Sequence, residues 1–366
     1  MSFILPEYHA PDFSLNQFRQ SADVSLQRAS RDGVAPLGFH STSMFPEYFK
    51  VGGTWQLAEE SRMDCLVVLD DSGRVQVVEG RRIRKGDRVV LGRTERGEEG
   101  IYVHATGFLP PEESHDDKFV FRTGRSRETA FSRDYDKLYE LLEYEKEHGN
   151  IVFVLGPAVA FDNDSRRAMQ LLIENGYVDG ILAGNALATH DLEAGYFKTA
   201  LGQNIYTQES MPNGHYNHLD VLNMVREYGS IETFIEKKNI KDGIVYAMMK
   251  QKKSLVLGGS IRDDGPMPEV YANVYEAQDA MRAVIRKATT VISLATQLHS
   301  IATGNMTPSF RVVDKKVRPV FIYSVDISEF AVNKLKDRGS LSATGIVTNV
   351  QDFIVNVAKG LHVGKL

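Results

Sequence analysis

A doubly wound, largely parallel α/β sheet preceded by a small N-terminal β domain is the fold that this 366-residue sequence predicts. Two observations carry the prediction. From residue 151 onward, wholly apolar runs alternate with amphipathic segments, and strands buried on both faces and separated by helices pair in parallel. Several of these runs close in small and polar residues: Gly184-Asn185, Gly258-Gly259-Ser260, Ala295-Thr296, Ser324-Val325-Asp326 and Thr348-Asn349. Ligands of open α/β sheets bind beyond the carboxyl ends of the strands, so these closures mark one edge as a site.

Taken in order, residues 1–43 are polar and interrupted by Pro6, Pro11 and Pro36, which predicts an N-terminal arm wrapped on another surface. Residues 44–130 form the β domain, with short strands at 65–69, 75–78, 88–91 and 101–104 separated by turn chemistry at Asp70-Asp71-Ser72-Gly73 and Lys85-Gly86-Asp87. A charged linker follows at 110–117. The α/β domain spans 131–366 and opens with a helix whose Tyr135, Leu138, Leu141, Leu142 and Tyr144 share one face, ending near Gly149. Further helices are expected at 165–175, 219–228 and 275–287.

Composition narrows the function. With 42% hydrophobic residues, 25% charged residues and a net charge of -5, the chain has material for a core and no excess of cations for nucleic acid. The one basic cluster, Arg81, Arg82, Arg84, Lys85 and Arg88, reads as a solvated loop. Cys65, the single cysteine, excludes an internal disulfide and a multi-thiolate zinc site. No apolar run approaches the ~18 residues of a membrane span, and no basic-then-apolar leader opens the chain. A cytoplasmic protein without membrane or nucleic-acid partners is therefore expected.

Chemistry is sought at the strand ends. Neither G-x-G-x-x-G nor G-x-x-x-x-G-K-[ST] occurs, but helix N-termini elsewhere hold pyrophosphate equally well. The loops Ala183-Gly184-Asn185-Ala186, Ala295-Thr296 and Asp337-Arg338-Gly339-Ser340 have the small residues that such an approach needs. Asp326 has two readings of equal weight, a ribose acceptor and a helix N-cap. Arg262 beside Asp263 and Asp264 offers a guanidinium fork for a carboxylate and carboxylates for an amine, as an α-amino acid requires; an internal ion pair is the plainer reading. His299 is a candidate for proton transfer, with Asn305 further along the same segment. Asn185, Thr189, His190 and Asp191 suit substrate or cofactor contacts or, more simply, helix capping. His215 and His218 lack a third ligand, which argues against metal.

These segments resemble a known family. The sequence from Asn175-Gly176-Tyr177 into Gly184-Asn185-Ala186-Leu187-Ala188-Thr189-His190-Asp191, then Gly214-His215-Tyr216-Asn217-His218, Gly259-Ser260-Ile261-Arg262-Asp263-Asp264-Gly265-Pro266, Ala277-Gln278-Asp279-Ala280-Met281-Arg282, 298–306 and 334–340, is similar to the NAD-dependent ornithine cyclodeaminases of archaeal type. Those proteins carry the lysine-oxoglutarate reductase/saccharopine dehydrogenase (LOR/SDH) conserved region, and the same module forms the C-terminal part of cyanobacterial arginine dihydrolases. The resemblance covers roughly 45–366, more weakly in the β domain at Gly53-Thr54-Trp55 and Arg62-Met63-Asp64. It implies a Rossmann-like domain related to deoxyhypusine synthase, bound NAD, and a homotetramer. It further implies that Asn185, Ala186, Asp264, Ala295, Thr296, Asp326, Gly345 and Val347 touch the cofactor. Arg262, Asp263 and His299 become catalytic candidates, and His190, Asp191, His215, His218 and Asn305 substrate contacts. The implied chemistry converts ornithine to proline and ammonia, with hydride lent to NAD and returned. One departure stands out: the chain reads Gly156-Pro157-Ala158-Val159-Ala160-Phe161-Asp162-Asn163-Asp164 where the family continues Val-His-Thr-Gly, so a loop histidine is missing. An oxidoreductase of another amino acid or polyamine, or an NAD-binding sensor without turnover, are the alternatives.

Overall fold

The computed structural model describes residues 3–108, 132–261, 265–328 and 341–365. Arg262, Asp263 and Asp264, the 110–117 linker and the 337–340 loop lie outside them. After a short helix α1 (Asn16–Arg19), strands β1 (Ser25–Arg28), β2 (Glu47–Val51), β3 (Thr54–Leu57), β4 (Leu66–Leu69), β5 (Val75–Val78), β6 (Arg88–Leu91) and β7 (Ile101–Val103) build the β domain. They form two antiparallel sheets, ordered β1-β6-β4-β5 and β3-β2-β7, which share a core of Val24, Phe49, Val67, Val77, Val90 and Ile101.

Strands β2 and β3 escape the sequence reading because β2 buries charge. Glu47, Tyr48, Phe49 and Lys50 are all buried. Lys50 Nζ donates to the carbonyls of Phe18, Arg19 and Ser21 at 3.1, 3.0 and 2.6 Å, and Glu47 takes His40 Nε2 at 2.9 Å. These partners make the burial tolerable and erase the polar/apolar alternation that signals a half-buried strand. They also bind the preceding segment to the domain, where Phe13 stacks on Trp55 at 4.9 Å and β1 pairs with β6.

The α/β domain runs α2 (Ser132–His148), β8 (Ile151–Leu155), α3 (Asn163–Glu174), β9 (Gly180–Gly184), α4 (Asn185–Phe197), a β10–β11 hairpin (Thr199–Ala200, Gln203–Asn204), α5 (Asn217–Tyr228), α6 (Ile231–Lys237), α7 (Ile244–Lys250) and β12 (Ser254–Gly258). It continues with β13 (Val270–Tyr271), α8 (Val274–Ile285), β14 (Thr290–Leu294), α9 (Gln297–Met306), a β15–β16 hairpin (Phe310–Val313, Lys316–Pro319), β17 (Phe321–Asp326), β18 (Ser342–Val347) and α10 (Val350–Gly360). Its seven-stranded sheet is parallel throughout, in the order β13-β12-β9-β8-β14-β17-β18. Without the short edge strand β13 this is the 3-2-1-4-5-6 order of a dinucleotide-binding sheet.

The pleat of β8 distributes its apolar side chains. Ile151, Phe153 and Leu155 join the core with α2, α3, α7 and α10, while Val152 and Val154 face Met281, Ile285 and Met306 of α8 and α9. The β15–β16 hairpin is an addition the sequence does not announce: it turns through Asp314 and Lys315, both at positive φ, without the Asn-Gly or Asp-Gly signal of such a turn.

One expectation is corrected at the domain boundary. Arg81 and Arg82 are not a purely solvated loop: both donate to Asp279 of α8, Arg82 at 2.5 Å. Beneath them, fully buried Arg62 holds Glu60 at 2.6 Å and Glu79 at 2.8 Å, and Glu79 also forms an ion pair with Arg282, 2.8 Å apart. Ser309 N donates to Ser61 O at 3.0 Å alongside. The two domains are thus clamped by ion pairs, of which the Arg282–Glu79 pair is largely out of water and the Asp279 pairs are half-exposed.

Candidate functional site

The strand order reverses between β8 and β14, which opens a crevice at their carboxyl ends. The backbone there is bare and tightly held. Gly156, directly after β8, donates its N–H to Leu294 O at 2.8 Å, and a Cβ on Gly156 would fall 2.0 Å from Ala295 O. Ala295 sits at φ +49°, a left-handed conformation unusual for a residue with a side chain, and donates to Val325 O at 3.1 Å. Strained backbone at a strand end is the kind of outlier that accompanies a binding site.

Helix ends separate the available seats from the closed ones. The N-terminus of α3, where a nucleotide fingerprint would place pyrophosphate, is already occupied: Asp162 accepts from Asp164 N and Ser165 N at 3.0 and 3.1 Å. A second anion has no place there, which agrees with the missing glycine motif. By contrast, α4 and α9 begin at Gly184 and Thr296 with no side-chain cap, so their first-turn amides remain to be satisfied. Both follow strand ends beside the crevice. Gly156, Gly184, the uncapped amides and the carboxylate of Asp326 therefore fit a dinucleotide, offering close backbone approach, donors for pyrophosphate and an acceptor for ribose.

The expected cofactor residues distribute along this edge. Ala186 lies in the first turn of α4, and Ala295 and Thr296 bridge β14 and α9. Asp326 ends β17, where its Oδ1 accepts Ser328 N at 2.9 Å, and Gly345 and Val347 pair with Ser324 and Asp326 on the adjacent strand. Asn185 is buried and turned toward the chain emerging from the Arg262–Asp264 segment, its Oδ1 accepting Met267 N at 3.2 Å. It thereby holds the chain at Met267.

His299 stands in the first turn of α9 against Gly184, where a Cβ would meet His299 Cε1 at 3.0 Å. Burial pushes its pKa below the ordinary 6.5, so at neutral pH the imidazole is uncharged and able to take a proton. His190 donates Nδ1–H to Glu193 Oε2 at 2.9 Å, and its ring meets Phe161 at 5.4 Å and His218 at 6.0 Å. His218 Nδ1 is buried with no partner among the described residues. Glu193 is a residue that the sequence reading passes over, although its i+3 spacing from His190 on one helix was the available signal.

Three of the expected substrate contacts stand apart from the His190–His218 pair. Asp191 is 1% exposed and its carboxylate is fully engaged, accepting from Arg166 Nε at 2.7 Å and from Ile244 N and Val245 N at 3.0 and 2.8 Å. It caps α7 and neutralises a buried arginine that also pairs with Asp242 at 2.7 Å. Asn305 is exposed six residues beyond His299, about 9 Å along α9 and roughly 240° around it, and so away from the strand-end edge. His215 is exposed too, packed on Tyr216 with centroids 4.1 Å apart, and is not joined to the His190–His218 pair. Among the described residues, no group of three or more His, Cys, Asp or Glu is arranged to hold a metal.

Comparison with known proteins agrees with this geometry. Residues 137–357 match the Rossmann-fold model of the C-terminal part of ArgZ-like arginine dihydrolases, and residues 46–127 match the first region of the same C-terminal part. The chain is 39% identical over 350 residues to an ornithine cyclodeaminase of Methanocaldococcus jannaschii, covering 93% of this chain and 78% of that one. The crystal structure of a conserved LOR/SDH protein from Methanococcus maripaludis S2 aligns with a TM-score of 0.82 and 35% identity, over 93% of this chain and 98% of that one. The ternary complex of AgrE with ornithine and NAD+ aligns with a TM-score of 0.57 and 28% identity, over 95% of this chain and 47% of that one. With both regions matched in order and a relative of this identity along most of its length, the chain belongs to the ArgZ-like C-terminal family together with the archaeal ornithine cyclodeaminases.

Proposed function

We propose that this protein is an NAD-dependent ornithine cyclodeaminase, converting L-ornithine to L-proline and ammonia. The observation that carries the reading is the crevice between β8 and β14, with its bare Gly156–Ala295 backbone and two uncapped helices, in a chain of this family. In this reading Asn185, Ala186, Asp264, Ala295, Thr296, Asp326, Gly345 and Val347 hold the cofactor. When bound, NAD supplies a hydride acceptor early in the turnover and the hydride donor at its end. Arg262 takes the substrate carboxylate as a bidentate partner. His299, uncharged at neutral pH, or Asp263 accepts the proton of the α-ammonium, so that the nitrogen lone pair can drive formation of an imine.

Proline as the product, four copies in the assembly and a cytoplasmic location belong to the same proposal. The segment from α4 into α5 exposes Leu201, Tyr206, Met211, Tyr216 and Leu219, an apolar surface of the kind that self-association covers. Phe161 beside His190, in the loop where the family has a histidine, supports a second reading in which another amine-bearing amino acid is oxidised.

The test is to denature purified protein and assay released NAD, then to incubate intact protein with ornithine while following ammonia and proline. Stoichiometric NAD with both products is the expected result. NADH accumulating on a different amino acid, without proline from ornithine, would favour the second reading, and no NAD even after addition of cofactor would overturn both.

A further inference from the structure

We infer that Glu193, His190 and His218 form the amine side of the active site: His190, oriented by Glu193, takes a proton from the substrate's side-chain ammonium and so makes it a nucleophile. The inference rests on the cyclodeaminase reading and adds to it the group that activates the ring-closing nitrogen.

Three features of the cluster point this way. Glu193 is 0% exposed, and each of its polar neighbours is a donor: His190 Nδ1 at 2.9 Å to Oε2, with Thr199 Oγ1 at 2.8 Å and Gly202 N at 3.2 Å to Oε1. A carboxylate that only accepts places the proton of His190 on Nδ1 and leaves the lone pair on Nε2, the tautomer of a general base. The arrangement is also braced from behind, since Thr199 accepts from Asn217 Nδ2 at 2.8 Å, and Asn217 adjoins His218. Finally, His218 brings a buried and unpartnered Nδ1 to within 6.0 Å of the His190 ring, centroid to centroid. An unpartnered imidazole nitrogen on His218 beside the Nε2 lone pair of His190, next to Phe161, suits an ammonium that must be both recognised and deprotonated. Helix capping needs none of this from His190 and Glu193, which lie beyond the first turn of α4.

The step balances without a further reactant. Once loss of hydride has brought the α-carbon to the protonated iminium (C=NH2+), the side-chain ammonium passes one proton to His190 Nε2. The freed amine attacks the α-carbon, forming the ring C–N bond as the C=N electron pair moves to the exocyclic nitrogen. The ring nitrogen then yields a proton to the exocyclic nitrogen, whose bond to the α-carbon breaks as ammonia leaves and a cyclic iminium remains. The proton on His190 goes out with the ammonia, as ammonium, and the base is restored.

The experiment uses the full chain loaded with NAD and three variants: Glu193→Gln, His190→Ala and His218→Gln. Glu193→Gln and His190→Ala are expected to lower kcat for ornithine by about 10²-fold or more, with NAD content unchanged. Because ring closure becomes the slow step, the absorbance of NADH should accumulate on adding ornithine, whereas in the parent protein none is expected to build up. Imidazole added to His190→Ala should restore part of the rate, whereas a purely structural loss would not respond. His218→Gln is expected to act mainly on KM. Should Glu193→Gln and His190→Ala keep kcat within twofold, or lose it with neither an NADH signal nor imidazole rescue, the assignment falls. A parent protein that makes neither NADH nor proline from ornithine would overturn the cyclodeaminase reading and the dyad with it.

Discussion

Gly156 and His299 show how much rests on single residues. Only glycine lets the end of β8 lie against Ala295, since a Cβ there would stand 2.0 Å from a backbone oxygen that no rotamer change can move. Gly156→Ala should therefore abolish NAD binding and lower the unfolding midpoint together, as thermal melts with and without NAD would show. His299 makes a prediction in pH. Its pKa lies below the ordinary 6.5 because burial disfavours the imidazolium, so below that pH the unfolded chain binds the proton more readily than the fold does. The stability that depends on keeping His299 neutral is complete above pH 6.5 and drains as pH falls through it. His299→Gln should flatten that acid limb in urea unfolding followed from pH 7 down to 5; an unchanged slope would assign the limb to other groups.

At the scale of elements, the helix that follows β8 contrasts with the helices that follow β9 and β14. Asp162 caps α3, whereas α4 and α9 start without a side-chain cap. Asp162→Ala should cost about 1 kcal/mol of stability and leave NAD affinity unchanged, because that helix end is not a phosphate seat. A calorimetric titration showing weaker NAD binding would place the cofactor at α3 after all. Most of these elements were legible in the sequence. The expected helices at 165–175, 219–228 and 275–287 match α3, α5 and α8 to within about two residues, since each carries an apolar stripe of helical period. Among what escaped were β2 and its partner β3, since the buried Glu47 and Lys50 of β2 break the alternation, and the β15–β16 hairpin, whose Asp314-Lys315 turn carries no glycine.

On the scale of the whole molecule, the clamp between the domains is the notable feature. Arg62 is 1% exposed and holds Glu60 and Glu79 from the β domain's side, while Arg282 and Arg286 of the α/β domain share the same two carboxylates. Removing one member of a buried ion network leaves its partners under-compensated. Arg62→Ala should therefore cost about 3 kcal/mol and separate one unfolding transition into two, detectable by denaturant titration with tryptophan fluorescence reporting Trp55 of the β domain and far-ultraviolet dichroism reporting both domains. A single transition with unchanged midpoint would show the clamp to be energetically idle.

By itself the sequence determined the fold class, the alternation of strands and helices, and the family, and it pointed to the strand-end edge as the candidate site, because periodicity and strand-end composition are local properties of the chain. Tertiary structure decided which polar residues are left free to serve a site. His190 and Asp191 are adjacent in sequence and look alike as candidates, yet one faces Glu193 and His218 while the other is consumed by Arg166 and the start of α7. Arg81 and Arg82 look solvated until Asp279, almost two hundred residues away, arrives beside them. The difference is physical: the type of an element follows from near neighbours along the chain, whereas the role of a charged or imidazole side chain follows from the partner that burial brings to it, and that partner is set only when the strands have taken their places in the sheet.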